Sequence, residues 1–121
     1  MVPQKNDIEF FFKSLQKDIC TGLEKLDGKA TFSEDFWERQ GGGGGITRVL
    51  ENGAVFEKGG VNFSSVKGSL PQQAWKQLLA ESKNKRTPDV YEKNINFFAT
   101  GISLVIHPLN PFVPVIHMNL R

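Results

Sequence analysis

The segment INFFATGISLVI, residues 95–106, constrains the fold most, because it has the length and composition of an extended β-strand. Side chains alternate between the two faces of a strand. One face of this strand is apolar and holds Thr100, Ile102, Leu104 and Ile106. The other face carries polar groups and holds Gly101, Ser103, Val105 and His107. The apolar face requires a helix packed against it.

The last residues of the chain, VIHMNLR, alternate in the same way. Their apolar side holds Ile116, Met118 and Leu120, and their other side holds Val115, His117, Asn119 and Arg121. If the two strands are neighbours in one sheet, a hydroxyl, two imidazoles, an amide and a guanidinium share a face. These groups belong to Ser103, His107, His117, Asn119 and Arg121.

The connection between these strands, HPLNPFVP, has a proline at every third position, at Pro108, Pro111 and Pro114. This spacing favours an extended, polyproline-like path, and proline supplies no N–H group to a β-ladder. We therefore expect the connection to be a crossover or a loop at the rim of the sheet.

The first part of the chain predicts an amphipathic helix from Asn6 to Leu26. Asn6 and Glu9 have the spacing of a capping box, and Gly28 is suited to end the helix. The apolar side of this helix holds Ile8, Phe11, Phe12, Leu15, Ile19, Leu23 and Leu26.

Residues 30–40 predict a short ordered bridge, and residues 46–68 predict β-structure with a hairpin at Asn52-Gly53. A second helix is expected from Pro71 to about Ser82, followed by a polar surface loop. The order of helix, strands, helix and strands predicts an α+β fold with a mainly antiparallel sheet flanked by helices.

Five consecutive glycines occupy residues 41–45. Such a run forms an engineered linker, a flexible loop, or a loop whose backbone N–H groups approach an anion, and these alternatives stay open. A uniform run does not specify a dinucleotide-binding pattern. Arg48 and the pair Gly59-Gly60 further suggest that a substrate passes close to the backbone here.

The overall composition bounds the class of protein. A chain of 121 residues forms at most one domain, and the net charge of +2 without a run of Lys or Arg argues against nucleic acid as a partner. The single cysteine, Cys20, fits a reducing compartment. The chain shows neither the apolar core of a signal peptide nor an apolar run long enough to span a membrane, so a cytoplasmic location is expected.

The polar groups near the chain end suit an anionic substrate. An arginine fork such as that of Arg121 binds a carboxylate through two hydrogen bonds, and Asn119 can donate to a further oxygen. An imidazole such as that of His117 transfers protons near neutral pH. These groups indicate a carboxylate substrate and an acid–base step. Two alternatives remain. These residues could form an ordinary solvated sheet face, or His107 and His117 could bind a metal with further ligands from elsewhere.

The segments GGGGGITRVLENGAVFEKGGVNFS and ATGISLVIHPLNPFVPVIHMNLR resemble the oxygen-dependent coproporphyrinogen III oxidase family of haem biosynthesis. The most specific part is the motif Ser-x3-His-Pro-x2-Pro-x2-Pro-x2-His-x-Asn-x-Arg, and the resemblance covers nearly the whole chain. It implies a flat, mostly antiparallel sheet between helices. It also implies oxidative decarboxylation of two propionates of coproporphyrinogen III to vinyl groups, giving protoporphyrinogen IX, with dioxygen as electron acceptor and carbon dioxide and hydrogen peroxide as products.

The resemblance also implies roles for individual residues. It makes His117 the proton donor, and it makes Ser103 and the triplet Asn119, Leu120 and Arg121 the substrate contacts. His107 and His117 match positions described as ligands of a divalent metal cation in some members, whereas the family is generally held to work without a metal or an organic cofactor. A homodimer is implied for the full-length family.

Members of this family are much longer than this chain. The resemblance therefore implies that residues 1–121 are a single partial domain, the N-terminal portion of an oxidase, truncated within a strand. We expect such a portion to have little or no activity by itself. One alternative is a non-catalytic binding module for a tetrapyrrole or another polycarboxylate, which would consume no dioxygen. Another is a structural piece that folds only when a further chain completes it.

Overall fold

The computed structural model describes residues 2–81 and 94–121. In chain order these residues form α1 (Lys5–Asp27), β1 (Ser33–Glu38), β2 (Gly43–Glu51), β3 (Phe56–Pro71), α2 (Gln72–Glu81), β4 (Asn94–Pro108) and β5 (Ile116–Leu120). Their strands make one antiparallel sheet in the order β1-β2-β3-β4-β5. The predicted α+β fold with an antiparallel sheet and accompanying helices is confirmed.

Helix α1 packs against one face of the sheet and defines two sides of the molecule. The side beneath α1, called the helix face, includes Val61, Ile102, Leu104 and Ile106. The opposite side, called the polar face, includes Thr47, Asn62, Ser103 and Asn119. Burying an aliphatic side chain contributes roughly 1.5–3 kcal/mol to the free energy of unfolding. The helix face therefore stabilises the sheet that carries the polar face.

The buried side of α1 differs from the predicted one at three residues. Phe11 and Leu26 are exposed, whereas Gln16 is only 1% exposed. The Gln16 side-chain Nε2 donates to the carbonyl oxygen of Ile46 at 2.7 Å and to that of Val61 at 2.9 Å. Because a carboxamide carries two N–H donors, this single side chain joins α1 to both β2 and β3.

Helix α1 begins one residue before the predicted Asn6, and its capping box is also displaced. The backbone N–H of Gln4 donates to Asp7 Oδ2 at 3.1 Å. Glu9, the predicted capping partner, instead accepts a hydrogen bond from the hydroxyl of Ser65 on β3 at 2.5 Å. The Glu9 carboxylate, which the sequence spacing assigned to the helix cap, thus joins α1 to β3 instead.

Helix α1 ends as predicted at Gly28, which adopts a left-handed conformation with φ 74°. The preceding residue, Asp27, is buried and ties the helix end to the β2–β3 connection. Its carboxylate accepts hydrogen bonds from the backbone N–H groups of Lys29, Ala30, Ala54, Val55 and Phe56. These bonds, above all those from Ala30 and Phe56, lower the pKa of Asp27 below its ordinary value.

Replacing Asp27 by Asn is expected to lower the midpoint of thermal unfolding by roughly 5 °C or more at neutral pH, because the backbone donors lose a charged acceptor. The folded-state pKa lies below the unfolded value of about 3.9. The stabilisation by Asp27 is therefore complete above the unfolded value and is lost progressively as the pH falls from that value through the lower folded-state pKa. Circular dichroism melts across this pH range measure both effects. Asp18→Asn removes an exposed carboxylate from the same helix, and equal changes in the two variants would contradict this role.

The glycine run is part of the sheet and forms neither the linker nor the separate loop that the sequence suggested. Residues 41–43 make the β1–β2 turn with positive φ values of 100°, 131° and 84°. From Gly43 onward the run lies within β2. Strand β1 pairs with it, so the bridge predicted over residues 30–40 contains a strand instead. Because β1 is almost entirely exposed, no apolar alternation marks it in the sequence.

The β2–β3 hairpin lies at Asn52-Gly53 as predicted, with a positive φ of 56° at Asn52 but not at Gly53. Helix α2 begins directly after Pro71, which is the last residue of β3. The predicted helix end at Ser82 and the polar loop predicted over residues 83–90 lie outside the described residues. In the part of the chain that the structure describes, no helix has the length and apolar character needed to cross a membrane.

The β4–β5 connection is a rim loop, as expected, but it turns sharply and is not an extended polyproline-like path. Strand β4 continues to Pro108. Within the loop, the N–H groups of Phe112 and Val113 donate to the side-chain and backbone oxygens of Asn110 at 2.9 and 3.1 Å. The asparagine therefore sets the turn, and a hairpin connection between antiparallel neighbours replaces the alternative of a crossover.

Candidate substrate-binding face

The register between β4 and β5 brings the predicted polar side chains onto one face. Ser103 lies opposite Asn119, and Val105 lies opposite His117. Residues opposite each other on antiparallel strands point to the same side of the sheet, with Cβ atoms about 4.5–5.5 Å apart. By the same alternation, the polar face carries Ser103, His107, His117 and Asn119. Arg121 directly follows the end of β5, and its side chain is joined to this face by a hydrogen bond to Asn119.

These side chains are accessible to a ligand. Ser103 is half-buried, and the others are exposed, namely His107, His117, Asn119 and Arg121. Directly behind them lies the buried core beneath α1. Groups that project from packed strands are held in fixed relative positions, which is what recognition of a ligand with several charges requires.

Arg121 and Asn119 already contact each other. The Arg121 Nε donates to Asn119 Oδ1 at 3.3 Å. A guanidinium has five N–H groups, so this bond leaves donors free for a carboxylate. Gly101 makes room for the pair, because a Cβ at that position would collide with the Leu120 carbonyl oxygen and lie 2.9 Å from the Arg121 Cγ.

Leu120, which the resemblance groups with the substrate contacts, differs from its two neighbours. It lies opposite Ile102, so its side chain points to the helix face. A ligand on the polar face would therefore contact Leu120 through its backbone. Asn119 and Arg121 are the members of this triplet whose side chains share the polar face.

His107 lies toward the other end of the polar face, opposite Lys58. Lys58 forms an ion pair with Glu51 at 3.0 Å, and all three side chains border a groove of about 400 Å³. This end of the face carries both signs of charge, whereas the Arg121 end carries a cation beside uncharged donors. The Arg121 end is therefore better suited to an anion.

His107 and His117 are diagonal neighbours, because Val105 is the residue directly opposite His117. The two imidazoles share a face, but a metal site needs at least one more protein ligand. Within residues 2–81 and 94–121, no group of three or more His, Cys, Asp or Glu side chains is arranged to hold a metal ion. The described residues therefore do not complete a site for a divalent metal.

The sequence did not identify three further polar-face residues, Trp37, Thr47 and Asn62. The Trp37 Nε1 donates to Thr47 Oγ1 at 3.1 Å, and the Thr47 hydroxyl donates to Asn62 Oδ1 at 2.8 Å. Asn62 lies opposite Ser103, so this chain of hydrogen bonds leads to the predicted site. These contacts depend on the register of three strands, one of which was not predicted.

Arg48, which the sequence associated with a passing substrate, lies on the helix face. Its Nη2 is 2.6 Å from Glu34 Oε2, and its Nε donates to the same oxygen at 2.8 Å. It also interacts with the buried Cys20 of α1. Arg48 therefore joins β1, β2 and α1 and does not contribute to the polar face.

A groove of about 650 Å³ lies at the rim loop, but its chemistry is wrong for a carboxylate. It is almost entirely apolar, and its lining includes Leu23, Leu26, Val55, Leu109, Val113 and Ile116. A carboxylate moved into apolar surroundings without donors is strongly destabilised. The polar face is therefore the better candidate for an anionic ligand, although it is more open.

Comparisons with known proteins show which family the chain resembles. The family model for Coproporphyrinogen III oxidase matches residues 7–121. An oxygen-dependent coproporphyrinogen-III oxidase of Prochlorococcus marinus is 46% identical over 114 residues, which are 94% of this chain and 30% of the relative. That of Parasynechococcus marenigrum is 50% identical over 107 residues, which are 88% of this chain and 27% of the relative. The chain thus spans less than a third of the length of these curated relatives.

Proposed function

The chain belongs to the coproporphyrinogen III oxidase family, and from this premise we propose that its polar face binds coproporphyrinogen III in an oxygen-dependent oxidase of haem biosynthesis. In the proposed reaction, two propionate side chains become vinyl groups and the product is protoporphyrinogen IX. The reaction is proposed for the oxidase as a whole. Residues 1–121 are proposed as an N-terminal portion of its domain that contributes a substrate-binding sheet.

The observation that carries this proposal is the cluster of Ser103, Asn119 and Arg121 on one exposed sheet face. Coproporphyrinogen III carries propionate carboxylates, and a guanidinium beside amide and hydroxyl donors is suited to bind them. The broad, open shape of the face also suits a macrocycle, because a large ring can lie along several strands at once. The substrate class and the donor set therefore agree.

The balance of the reaction requires a proton. Each propionate carboxylate leaves as carbon dioxide, and the methylene group next to the pyrrole ring loses a hydride equivalent, which leaves a vinyl group. Dioxygen accepts the hydride equivalent and one proton to form hydrogen peroxide. We assign the donation of this proton to His117, because it lies on the same face as Arg121 and an imidazole exchanges protons near neutral pH.

A homodimer and a cytoplasmic location are parts of the same proposal. Exposed apolar side chains at the rim loop support self-association, with Phe112 being 93% exposed and Val115 and Ile116 each 52% exposed. The single cysteine, Cys20, is buried and free, which suits a reducing compartment. Sedimentation velocity across a range of concentrations measures the association directly.

Anaerobic titration with coproporphyrinogen III, followed by admission of air, tests the function. We expect the 121-residue chain to bind the substrate, and to form protoporphyrin far more slowly than a full-length relative. His117→Gln should leave binding nearly unchanged and lower any air-dependent product. A chain that binds no coproporphyrinogen III would contradict the proposed site. Turnover at the rate of a full-length relative would contradict the proposed division between binding and the complete reaction.

A further inference from the structure

A row of polar side chains crosses the polar face from β2 to β5. Thr47 lies opposite Asn62, Asn62 lies opposite Ser103, and Ser103 lies opposite Asn119. Neighbours in such a row have Cβ atoms about 4.5–5.5 Å apart. Asn62 is therefore a direct neighbour of one proposed substrate contact and is one strand further from another.

A chain of hydrogen bonds fixes the orientation of the Asn62 amide. The Trp37 Nε1 lies 3.1 Å from Thr47 Oγ1, which lies 2.8 Å from Asn62 Oδ1. An indole N–H can only donate, so the Thr47 hydroxyl accepts from it and has its own proton for Asn62. Because the Asn62 oxygen is bonded to Thr47 on β2, the N–H₂ group on the other side of the same amide is turned away from Thr47.

Gly45 allows Trp37 to take part in this series of hydrogen bonds. The two residues lie opposite each other on β2 and β1. A Cβ at Gly45 would collide with Cζ2 of the indole and lie 2.6 Å from its Cε2. Because Gly45 has no side chain, the half-buried indole of Trp37 can lie directly against it. This position keeps the indole N–H group aligned with Thr47.

Building on the proposed function, we propose that Asn62 is a further substrate contact whose N–H₂ group donates to a propionate carboxylate. Trp37 and Thr47 are positioning residues that hold this amide in the donating orientation. The amide lies on the same open face as Arg121, and its oxygen is already bonded to a hydroxyl, so donation is the function left to it. The carboxylate site then extends from β5 to β3.

Isothermal titration calorimetry of the 121-residue chain with coproporphyrinogen III under anaerobic conditions tests this proposal. Thr47→Val keeps the side-chain shape but removes the hydroxyl, and should weaken binding roughly five- to tenfold. Thr47→Ser restores the hydroxyl and should return the affinity to within about twofold of wild type. Asn62→Asp replaces the donor by a second anion and should weaken binding at least about tenfold. Circular dichroism confirms that each variant is folded.

The outcomes distinguish the proposed role of Asn62 from the proposed function of the polar face. Binding unchanged in Thr47→Val and Asn62→Asp, but lost in Arg121→Ala, would overturn the role of Asn62 and leave the proposed function standing. Equal losses in Thr47→Val and Thr47→Ser would overturn the hydroxyl relay, because both side chains fit but only serine carries the hydroxyl. No binding by the wild-type chain would overturn both.

Discussion

Replacing Arg121 by Ala is expected to weaken the binding of coproporphyrinogen III by roughly ten- to a hundredfold. A hydrogen bond to a charged group contributes about 1.5–3 kcal/mol, and each 1.4 kcal/mol corresponds to about a factor of ten in affinity. Arg121 is exposed on the polar face, and its 3.3 Å hydrogen bond to Asn119 leaves most of its N–H donors available to a ligand. Anaerobic calorimetric titration measures the change.

Two companion variants separate the arginine fork from general electrostatics. Arg121→Lys keeps the positive charge but loses the planar pair of donors, so an intermediate affinity is expected. Lys58→Ala removes another cation of the same face that is already paired with Glu51. If Lys58→Ala weakened binding as much as Arg121→Ala, net charge and not a specific carboxylate contact would explain the affinity.

The largest expected loss of stability follows from replacing Gln16 by Glu. The Gln16 amide donates to two backbone carbonyl oxygens in the core, those of Ile46 and Val61. An ionised carboxylate at this place would face the same oxygens without an N–H group to donate to them. We expect the free energy of unfolding to fall by about 3 kcal/mol or more, a large part of the roughly 5–15 kcal/mol typical of a domain.

The same exchange predicts a distinctive pH dependence. Burial beside carbonyl oxygens would raise the folded-state pKa of the introduced carboxyl group above its unfolded value of about 4.3. The variant should therefore lose stability relative to wild type as the pH rises above that value, and the difference should shrink in acid. Urea unfolding at several pH values measures this. Gln16→Met removes the donors without a charge, and an equally pH-dependent loss in that variant would contradict the explanation.

The sequence predicted the end of the chain well, because alternation alone determines the faces of two strands. Ser103 and Asn119 share a face in the structure as their positions required, once β4 and β5 were taken as neighbours. The helix end at Gly28 could also be predicted from the local sequence, because glycine readily adopts the left-handed conformation that ends many helices. Features that depend on one element at a time were therefore accessible from the residues.

Contacts that depend on the relation between elements were not accessible. Gln16 is polar, so apolar periodicity excluded it from the buried side of α1, although its donors are satisfied by carbonyl oxygens of two strands. In the sequence, Asp27 looked like an ordinary residue at a helix end. Its buried role was not visible because its hydrogen-bond donors near Val55 are distant along the chain. Trp37 lies on a strand whose exposed side chains show no apolar alternation. A one-residue change of register would move every such contact to the other face.

The two faces of the sheet have separate tasks in this account. The helix face carries the core, and contacts such as those of Gln16 and Arg48 fix the strands relative to α1. The polar face carries exposed donors at fixed spacing. Variants of the helix face should change stability first, and variants of the polar face should change binding first.

The most direct test of the central claim is to map the binding of coproporphyrinogen III on the isotope-labelled chain by amide chemical shifts, under anaerobic conditions. The account predicts that the largest changes occur on β3, β4 and β5, around Asn62, Ser103 and Asn119. Changes centred on the apolar groove around Leu26 and Leu109, with the polar face unaffected, would contradict it.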